Sequence, residues 1–136
     1  ENVMRDKFFS SVFRQNISFA TDDGTAGEKG TAPDVLEKWL KAASDGTGRT
    51  HIIQNSSSAG GYIKTPDAIV SCGPHAMMKA VKETADRAGI PSWFSLEEFM
   101  ACGAGACAGC AVPAAGGGYL KACSDGPVFA GSEVIL

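Results

Sequence analysis

The chain has 136 residues, of which 44% are hydrophobic and 20% are charged, and its formal net charge is -3. This composition is typical of a folded globular protein and excludes a disordered tail or a coiled coil. The weak negative charge argues against a nucleic-acid partner, which requires clustered Lys and Arg. No apolar run approaches the roughly 20 residues of a membrane span, so no membrane partner is predicted either.

The N-terminus predicts a cytoplasmic location. Residues 1–6 lack the basic and then apolar run of a signal peptide. In that reducing compartment, five cysteines, most of them clustered, favour metal ligands or redox groups over disulfides. The first residue is Glu1 and not methionine, so the chain is expected to be processed or to be part of a longer protein.

The first half of the chain predicts alternating helices and strands. The expected short elements are a helix end over residues 8–13, strands over residues 16–20 and 51–53, and a glycine-rich loop over residues 21–30. A longer helix is predicted over residues 32–43, because Thr31 can cap it and apolar residues recur at helical spacing.

A strand–helix–strand unit is predicted between residues 67 and 94. The run over residues 67–72 is typical of a buried strand, and the next helix is expected to have Pro74 at its first position and Gly89 at its end. A second strand is expected over residues 90–94. This order favours an α/β fold with a parallel sheet.

The composition changes after residue 94. A capping box at residues 95–98 predicts a short helix. Strands are expected over residues 119–123 and 131–136. We place a domain boundary near residue 92, which predicts an α/β domain over residues 1–92 and a small α+β domain over residues 93–136.

Four cysteines form the most informative motif. Cys102, Cys107 and Cys110 have the spacing C-x4-C-x2-C, and Cys123 follows at a distance. This is the plant-type spacing of a [2Fe–2S] cluster. The Gly and Ala residues between the cysteines let the backbone approach the cluster closely. A structural zinc site usually contains two C-x2-C pairs, and only one is present here, so zinc remains an alternative.

The fifth cysteine, Cys72, has two interpretations. Most such cysteines are small buried hydrophobic residues at the end of a strand. However, Cys72, Gly73 and His75 also lie where a predicted parallel strand ends and a helix begins. Ligands of open parallel sheets bind at such positions.

Several segments resemble one known family. The residues SCGPHAMM at 71–78 resemble the C-G-P-x-x-M motif of the ferredoxin-NADP reductase superfamily. Residues 95–103, the cluster cysteines and CSDGPVF at 123–129 together resemble the electron-transfer subunit of NAD-dependent dihydroorotate dehydrogenase. The polar loop over residues 21–30 also resembles that subunit.

The resemblance implies a fold and an electron path. The family's subunit has an FAD-binding β-barrel, a nicotinamide-binding α/β domain and a C-terminal [2Fe–2S] domain. Electrons pass from NADH through FAD and the cluster to FMN on a separate catalytic subunit, which oxidises dihydroorotate in pyrimidine biosynthesis. By this resemblance, residues 1–92 are the second half of the nicotinamide-binding domain, and residues 93–136 are the cluster domain.

The resemblance also implies site residues and partners. The implied cluster ligands are Cys102, Cys107, Cys110 and Cys123, and the residues implied to border the nicotinamide pocket are Cys72, Gly73 and Pro74. FAD and NAD are expected only in the full-length subunit, so this chain alone is not expected to be catalytically competent. Its expected partners are the FMN-containing catalytic subunit and, through exposed apolar surface, a second copy of itself.

Two alternative functions remain open from the sequence. One is an electron-transfer subunit of another flavoenzyme, of the hydrogenase or glutamate synthase type. The other is a zinc-bound or metal-free interaction fragment with no redox role.

Overall fold

The computed structural model describes residues 19–44 and 65–136. These residues belong to two compact units, which divide between Lys64 and Thr65. The predicted helix end over residues 8–13 and the predicted strand over residues 51–53 lie outside the described residues. Within the described ranges, no helix has both the length and the apolar character needed to cross a membrane.

The first unit contains a pair of very short parallel strands and a helix. Strand β1 (Ala20–Thr21) pairs in parallel with β2 (Glu28–Lys29) across the glycine-rich loop. Helix α1 (Ala32–Ser44) confirms the helix predicted over residues 32–43.

A capping interaction fixes the start of α1. The backbone N–H and the hydroxyl of Thr31 both donate to Asp34 Oδ2, at 2.9 and 2.6 Å. Asp34 thereby supplies one half of a capping box, because its carboxylate accepts from the backbone N–H of the residue that precedes the helix. The hydrogen bonds from Thr31 lower the pKa of Asp34.

The second unit contains a three-stranded sheet, a helix and a small hairpin. Its elements are β3 (Ile69–Cys72), α2 (His75–Ala88), β4 (Ser92–Ser95), β5 (Ala111–Pro113), β6 (Tyr119–Lys121) and β7 (Val128–Ala130). Strands β3 and β4 pair in parallel, which confirms the predicted strand–helix–strand unit. Strand β7 pairs antiparallel with β4, so the sheet is mixed. Strands β5 and β6 form a separate antiparallel hairpin.

The ends of α2 differ slightly from the prediction. Pro74 is the N-cap, with φ -54° and ψ 141°, and it is not the first helical residue. Its extended conformation lets β3 turn directly into the helix. At the other end Gly89 has φ 67°, and its N–H donates to the carbonyls of Ala85 and Asp86, which confirms the predicted helix end.

One face of the three-stranded sheet forms the core of this unit. Phe94 of β4 and Phe129 of β7 are cross-strand partners, and Phe94 is completely buried. Because side chains alternate between the two faces of a sheet, their neighbours Val70, Trp93 and Val128 point the other way and are exposed. This exposed apolar face is consistent with self-association, which remains a prediction.

Two predicted elements of the C-terminal region are wrong. The capping box at residues 95–98 does not start a helix: Ser95 ends β4, and the N–H of the buried Leu96 donates to Pro127 O at 2.9 Å. That pairing continues the contact between β4 and the β7 segment and keeps the chain extended. The terminal strand lies at Val128–Ala130 and not at residues 131–136, where only Val134 forms a bridge, with Ala114.

The predicted domain boundary at residue 92 falls on the first residue of β4. Because β4 pairs with β3 on one side and with β7 on the other, the sheet contains strands from both predicted domains. The boundary at residue 92 therefore does not separate two compact units in this structure. It remains a prediction about where the nicotinamide-binding domain ends and the cluster domain begins.

Candidate metal centre

The β5–β6 hairpin brings two of the four clustered cysteines together. Cys110 precedes β5, and Cys123 follows shortly after β6. The hairpin pairs Ala111 with Lys121, and the next N–H along the chain, that of Ala122, donates to Cys110 O at 3.0 Å. As a result, the Sγ atoms of Cys110 and Cys123 are 3.2 Å apart, although the residues are distant in sequence.

Cys102 and Cys107 form a second pair within the preceding loop. The backbone N–H groups of Cys107 and Ala104 donate to Cys102 Sγ at 3.4 and 3.5 Å. Hydrogen bonds to a thiolate stabilise its charge. These donors, with the Cys107 N–H contributing most, lower the pKa of Cys102 to about 6.

The hydrogen bond between the thiols of Cys110 and Cys123 shifts their two pKa values in opposite directions. Hydrogen bonds from the backbone and side chain of Cys123 lower the pKa of Cys110. The hydrogen bond to Cys110 and desolvation raise the pKa of Cys123. The two sulfurs lie within hydrogen-bonding distance of each other. Both thiols have to lose their protons to bind a metal ion, because cysteine ligands must be deprotonated.

The arrangement in pairs fits a binuclear cluster. Among residues 19–44 and 65–136, no group of three or more His, Cys, Asp or Glu side chains is arranged to hold one metal ion. A structural zinc ion needs four ligands converging on one point, whereas a [2Fe–2S] cluster takes two thiolates on each of two irons. Two thiolates on one tetrahedral metal lie roughly 3.8 Å apart for metal–sulfur bonds of about 2.3 Å. The 3.2 Å separation of Cys110 and Cys123 needs only a small opening to reach this value.

The loop between Cys102 and Cys107 depends on glycine. Gly103 and Gly105 have φ of 64° and 74°, in the left-handed region that other residues rarely adopt. A Cβ at Gly105 would lie 3.2 Å from Ser124 Oγ and 3.3 Å from Ser124 Cβ. The loop therefore packs closely against the turn that carries Cys123.

Hydrogen bonds hold the turn around Cys123 in place. Asp125 Oδ2 accepts from the backbone N–H of Lys121 at 2.7 Å, and the N–H groups of Ser124 and Asp125 donate to Lys121 O at 3.2 and 2.8 Å. The Lys121 ammonium donates to Gly105 O in the cysteine loop. The sequence interpretation missed Lys121, although it is the only Lys or Arg after Arg87.

Cys72, Gly73 and Pro74 lie at a second feature, an open groove of about 630 Å³. The groove lies at the carboxyl ends of β3 and β4, and its other walls include Met78 and residues 95–99. Cys72 is exposed there and is not the buried filler that a lone cysteine usually is. The structure thus brings together the residues predicted to border a ligand pocket.

An exposed apolar surface adjoins the cysteines. Phe99 and Met100 are 92% and 53% exposed, and Ala104, Ala106 and Ala108 of the following loop are exposed as well. We call residues 99–108 the cysteine-loop surface. The sequence interpretation gave Phe99 no role at this surface.

Comparison with known proteins finds relatives of the segment that contains the clustered cysteines. Residues 97–135, which include all four clustered cysteines, match the family model of the iron–sulfur cluster binding domain of dihydroorotate dehydrogenase B. The electron transfer subunit of dihydroorotate dehydrogenase B (NAD(+)) from Listeria welshimeri is 35% identical over 97% of this chain, and that from Geobacillus thermodenitrificans is 40% identical over 86%. The chain spans only 44% and 37% of these two proteins.

A solved structure shows the same relationship. The NADH-dependent reduced ferredoxin-NADP oxidoreductase, studied for flavin-based electron bifurcation, matches 87% of this chain and 34% of its own with a TM-score of 0.63 and 30% identity. The resemblance predicted from the motifs is therefore confirmed. Residues 97–135 are similar to an iron–sulfur cluster binding domain, and the mixed helix–strand fold of the chain is similar to that of a flavin-dependent oxidoreductase.

Proposed function

We propose that this chain is the portion of an electron-transfer subunit that carries one [2Fe–2S] cluster, and that Cys102, Cys107, Cys110 and Cys123 are the ligands. The observation that supports this most directly is the placement of these cysteines as two pairs inside the matched domain. Cys102 and Cys107 would hold one iron, and Cys110 and Cys123 the other. When bound, the cluster would accept and release one electron at a time.

The chain's own groups prepare this site. The N–H donors of Ala104 and Cys107 favour the thiolate form of Cys102, which is the form that binds metal. The β5–β6 hairpin sets the spacing of Cys110 and Cys123. Small residues in the loop leave room for backbone donors to approach the cluster sulfurs, which is one of the factors that set its potential.

For the full-length subunit we propose the path from NADH through FAD and the cluster to an FMN-containing dihydroorotate dehydrogenase catalytic subunit, in pyrimidine biosynthesis. Support comes from relatives that are named electron transfer subunits of dihydroorotate dehydrogenase B (NAD(+)). FAD and NAD would bind the longer subunit. We propose a cytoplasmic location for the complex.

The groove at Cys72, Gly73 and Pro74 is the proposed edge of the nicotinamide pocket. Crevices at the carboxyl ends of parallel strands are common ligand sites in α/β proteins. Glu97 and Glu98 also line this groove. Because two carboxylates oppose phosphate binding and favour a cation, the groove suits the oxidised nicotinamide ring better than the pyrophosphate.

The cysteine-loop surface is the proposed docking site for the catalytic subunit. Electrons must leave the cluster for a cofactor on another chain, so one side of the site has to lie near the surface. No Lys, Arg, Asp, Glu or His occurs between Glu98 and Lys121. An uncharged surface with the exposed Phe99 and Met100 can be covered by a partner at little desolvation cost.

A second candidate acceptor is another flavoenzyme, as the similarity to the NADH-dependent reduced ferredoxin-NADP oxidoreductase indicates. The same cluster domain would then serve a different partner. Mixing the full-length electron-transfer subunit with an FMN-containing dihydroorotate dehydrogenase subunit separates the two candidates. Only the dihydroorotate dehydrogenase proposal predicts NADH-dependent reduction of the FMN on that subunit.

Chemical analysis tests the cluster assignment. Anaerobically purified protein is expected to contain about two irons and about two sulfides per chain, with the visible absorption and the reduced-state EPR signal of a [2Fe–2S] cluster. Zinc without iron, or a protein with neither metal, would contradict the proposal.

A further inference from the structure

The cysteine-bearing region contains a single basic side chain. Lys121 is the only Lys or Arg from residue 88 to the last residue, whereas this segment contains the acidic residues Glu97, Glu98, Asp125 and Glu133. A lone cation among acidic residues is a strong local determinant of the electrostatic potential, provided that it lies near the site it influences.

Lys121 bridges the two segments that supply the cysteines. It ends β6, two residues before Cys123, and its side chain is half-buried. Its ammonium donates to Gly105 O, which lies in the loop between Cys102 and Cys107. Its Cδ lies 4.0 Å from the position that a Cβ of Gly105 would occupy. The side chain therefore crosses from the Cys123 segment to the Cys102–Cys107 loop.

Among residues 19–44 and 65–136, no carboxylate forms an ion pair with the Lys121 ammonium. The Asp125 carboxylate accepts from the backbone N–H of Lys121 on one oxygen and from the Ser124 hydroxyl on the other, at 2.7 and 3.1 Å. These bonds close the turn around Cys123. The Lys121 ammonium itself donates to Gly105 O in the cysteine loop.

A cation at this place has a direct consequence for electron affinity. With four thiolate ligands, a [2Fe–2S] cluster carries a net charge of about -2 when oxidised and about -3 after it gains one electron. A neighbouring positive charge stabilises the more negative form, and partial burial reduces the screening by salt. Outer-shell groups that hold the ligand loops add to this effect.

We propose that Lys121 is a positioning residue that clamps the cysteine loop through Gly105 O and raises the reduction potential of the cluster. The inference rests on the proposed [2Fe–2S] function and adds a residue that determines how readily the site accepts an electron. The charge of Lys121 and its hydrogen bond to the loop can be tested separately by substitution. Arginine at this position keeps the charge and the donors, whereas glutamine keeps only a neutral donor.

The test is an EPR-monitored redox titration of the cluster-loaded protein. Lys121→Met and Lys121→Gln should both lower the midpoint potential, and Lys121→Arg should stay close to the wild type. Lys79→Gln, which removes one charge from an exposed position on α2, is the matched control and should leave the potential unchanged. Iron content per chain is measured for each variant, so that loss of cluster is not mistaken for a shift.

Three results would overturn the inference. Equal potentials for the wild type and for a fully loaded Lys121→Gln would exclude the charge effect. A Lys121→Arg potential as low as that of Lys121→Gln would assign the shift to packing alone. A wild-type protein without iron would overturn the proposed function and this inference with it, and iron analysis distinguishes that result from the other two.

Discussion

The groove at the sheet end and the paired cysteines show two ways in which one small unit builds a site. The groove is made by regular elements: β3 and β4 end side by side, α2 begins there, and buried side chains such as Phe94 hold the strands together. The paired cysteines lie in irregular backbone, where glycines with positive φ and local hydrogen bonds determine the shape.

This difference predicts different sensitivities. A site built from packed elements depends on the hydrophobic core and tolerates changes at its exposed residues. A site built from a glycine-rich loop depends on a few polar contacts and on the metal it binds, because metal binding then contributes to folding of the loop. Substitutions in each region should therefore affect different measurements.

The largest effect is expected from loss of a proposed ligand. Cys107→Ser and Cys123→Ser should each bleach the visible spectrum of the cluster, because the weakly acidic serine hydroxyl is a much poorer iron ligand than a thiolate in a sulfur site. Cys72→Ser is the matched control, since Cys72 lies in the groove, and it should retain the full absorbance and iron content. A cluster that survives Cys123→Ser but not Cys72→Ser would reverse the ligand assignment.

The sheet region should respond most strongly to core substitutions. Phe94 is completely buried, so Phe94→Ala should lower the free energy of unfolding by about 3–5 kcal/mol. Val70→Ala, on the opposite face of the same sheet, is the control: Val70 is 73% exposed, and its loss should cost less than about 0.5 kcal/mol. Chemical denaturation measures both. Similar losses for the two variants would mean that the exposed face is covered in solution, as self-association would produce.

A smaller and more specific effect is expected at the cysteine-loop surface. Ala104→Glu and Ala108→Glu introduce a charge into an uncharged exposed loop and should weaken binding to the catalytic subunit at least tenfold, with an unchanged visible spectrum. Ala115→Glu, at the exposed turn on the other end of the β5–β6 hairpin, is the control and should bind normally. Isothermal titration of the complex measures this. Normal assembly of all three variants would place the docking site elsewhere.

The sequence predicted regular elements where periodicity and end signals agreed. Helix α1 with its Thr31 cap, the parallel β3–β4 pair and the Gly89 helix end all carried such signals. The helix predicted at residues 95–98 failed because a capping box states only a local preference. The tertiary pairing of Leu96 with Pro127 used the backbone donor instead.

The candidate site was predicted by its spacing but not by its geometry. The C-x4-C-x2-C motif located the four cysteines, yet their division into pairs follows from the β5–β6 register, which no local pattern encodes. The role of Lys121 follows from its contact with Gly105 in a distant loop, and that of Phe99 follows from its exposure. Neither property is encoded in the local sequence. Such features become visible only when the loop and the hairpin are placed together.

The smallest effect, and the most direct test of the local hydrogen bonds, concerns Cys102 in metal-free protein. The N–H groups of Cys107 and Ala104 lower its pKa to about 6, below the ordinary value of 9.0, so the thiolate predominates at pH 7 and is lost as the pH falls through 6. The pKa of Cys123 is raised, so its thiol stays protonated at pH 7. Brief alkylation with iodoacetamide at pH 7, followed by peptide mass spectrometry, should label Cys102 well before Cys123.

The pH dependence makes that comparison quantitative. The alkylation rate of Cys102 should reach half its maximum near pH 6, whereas the rate at Cys123 should still be rising above pH 9. Because the thiolate is the nucleophile, each rate follows the ionised fraction of its own thiol. If Cys102 titrates near its ordinary pKa of 9.0, the backbone donors do not stabilise its thiolate in solution. The metal-free loop would then lack the shape described above, and only metal binding would create it.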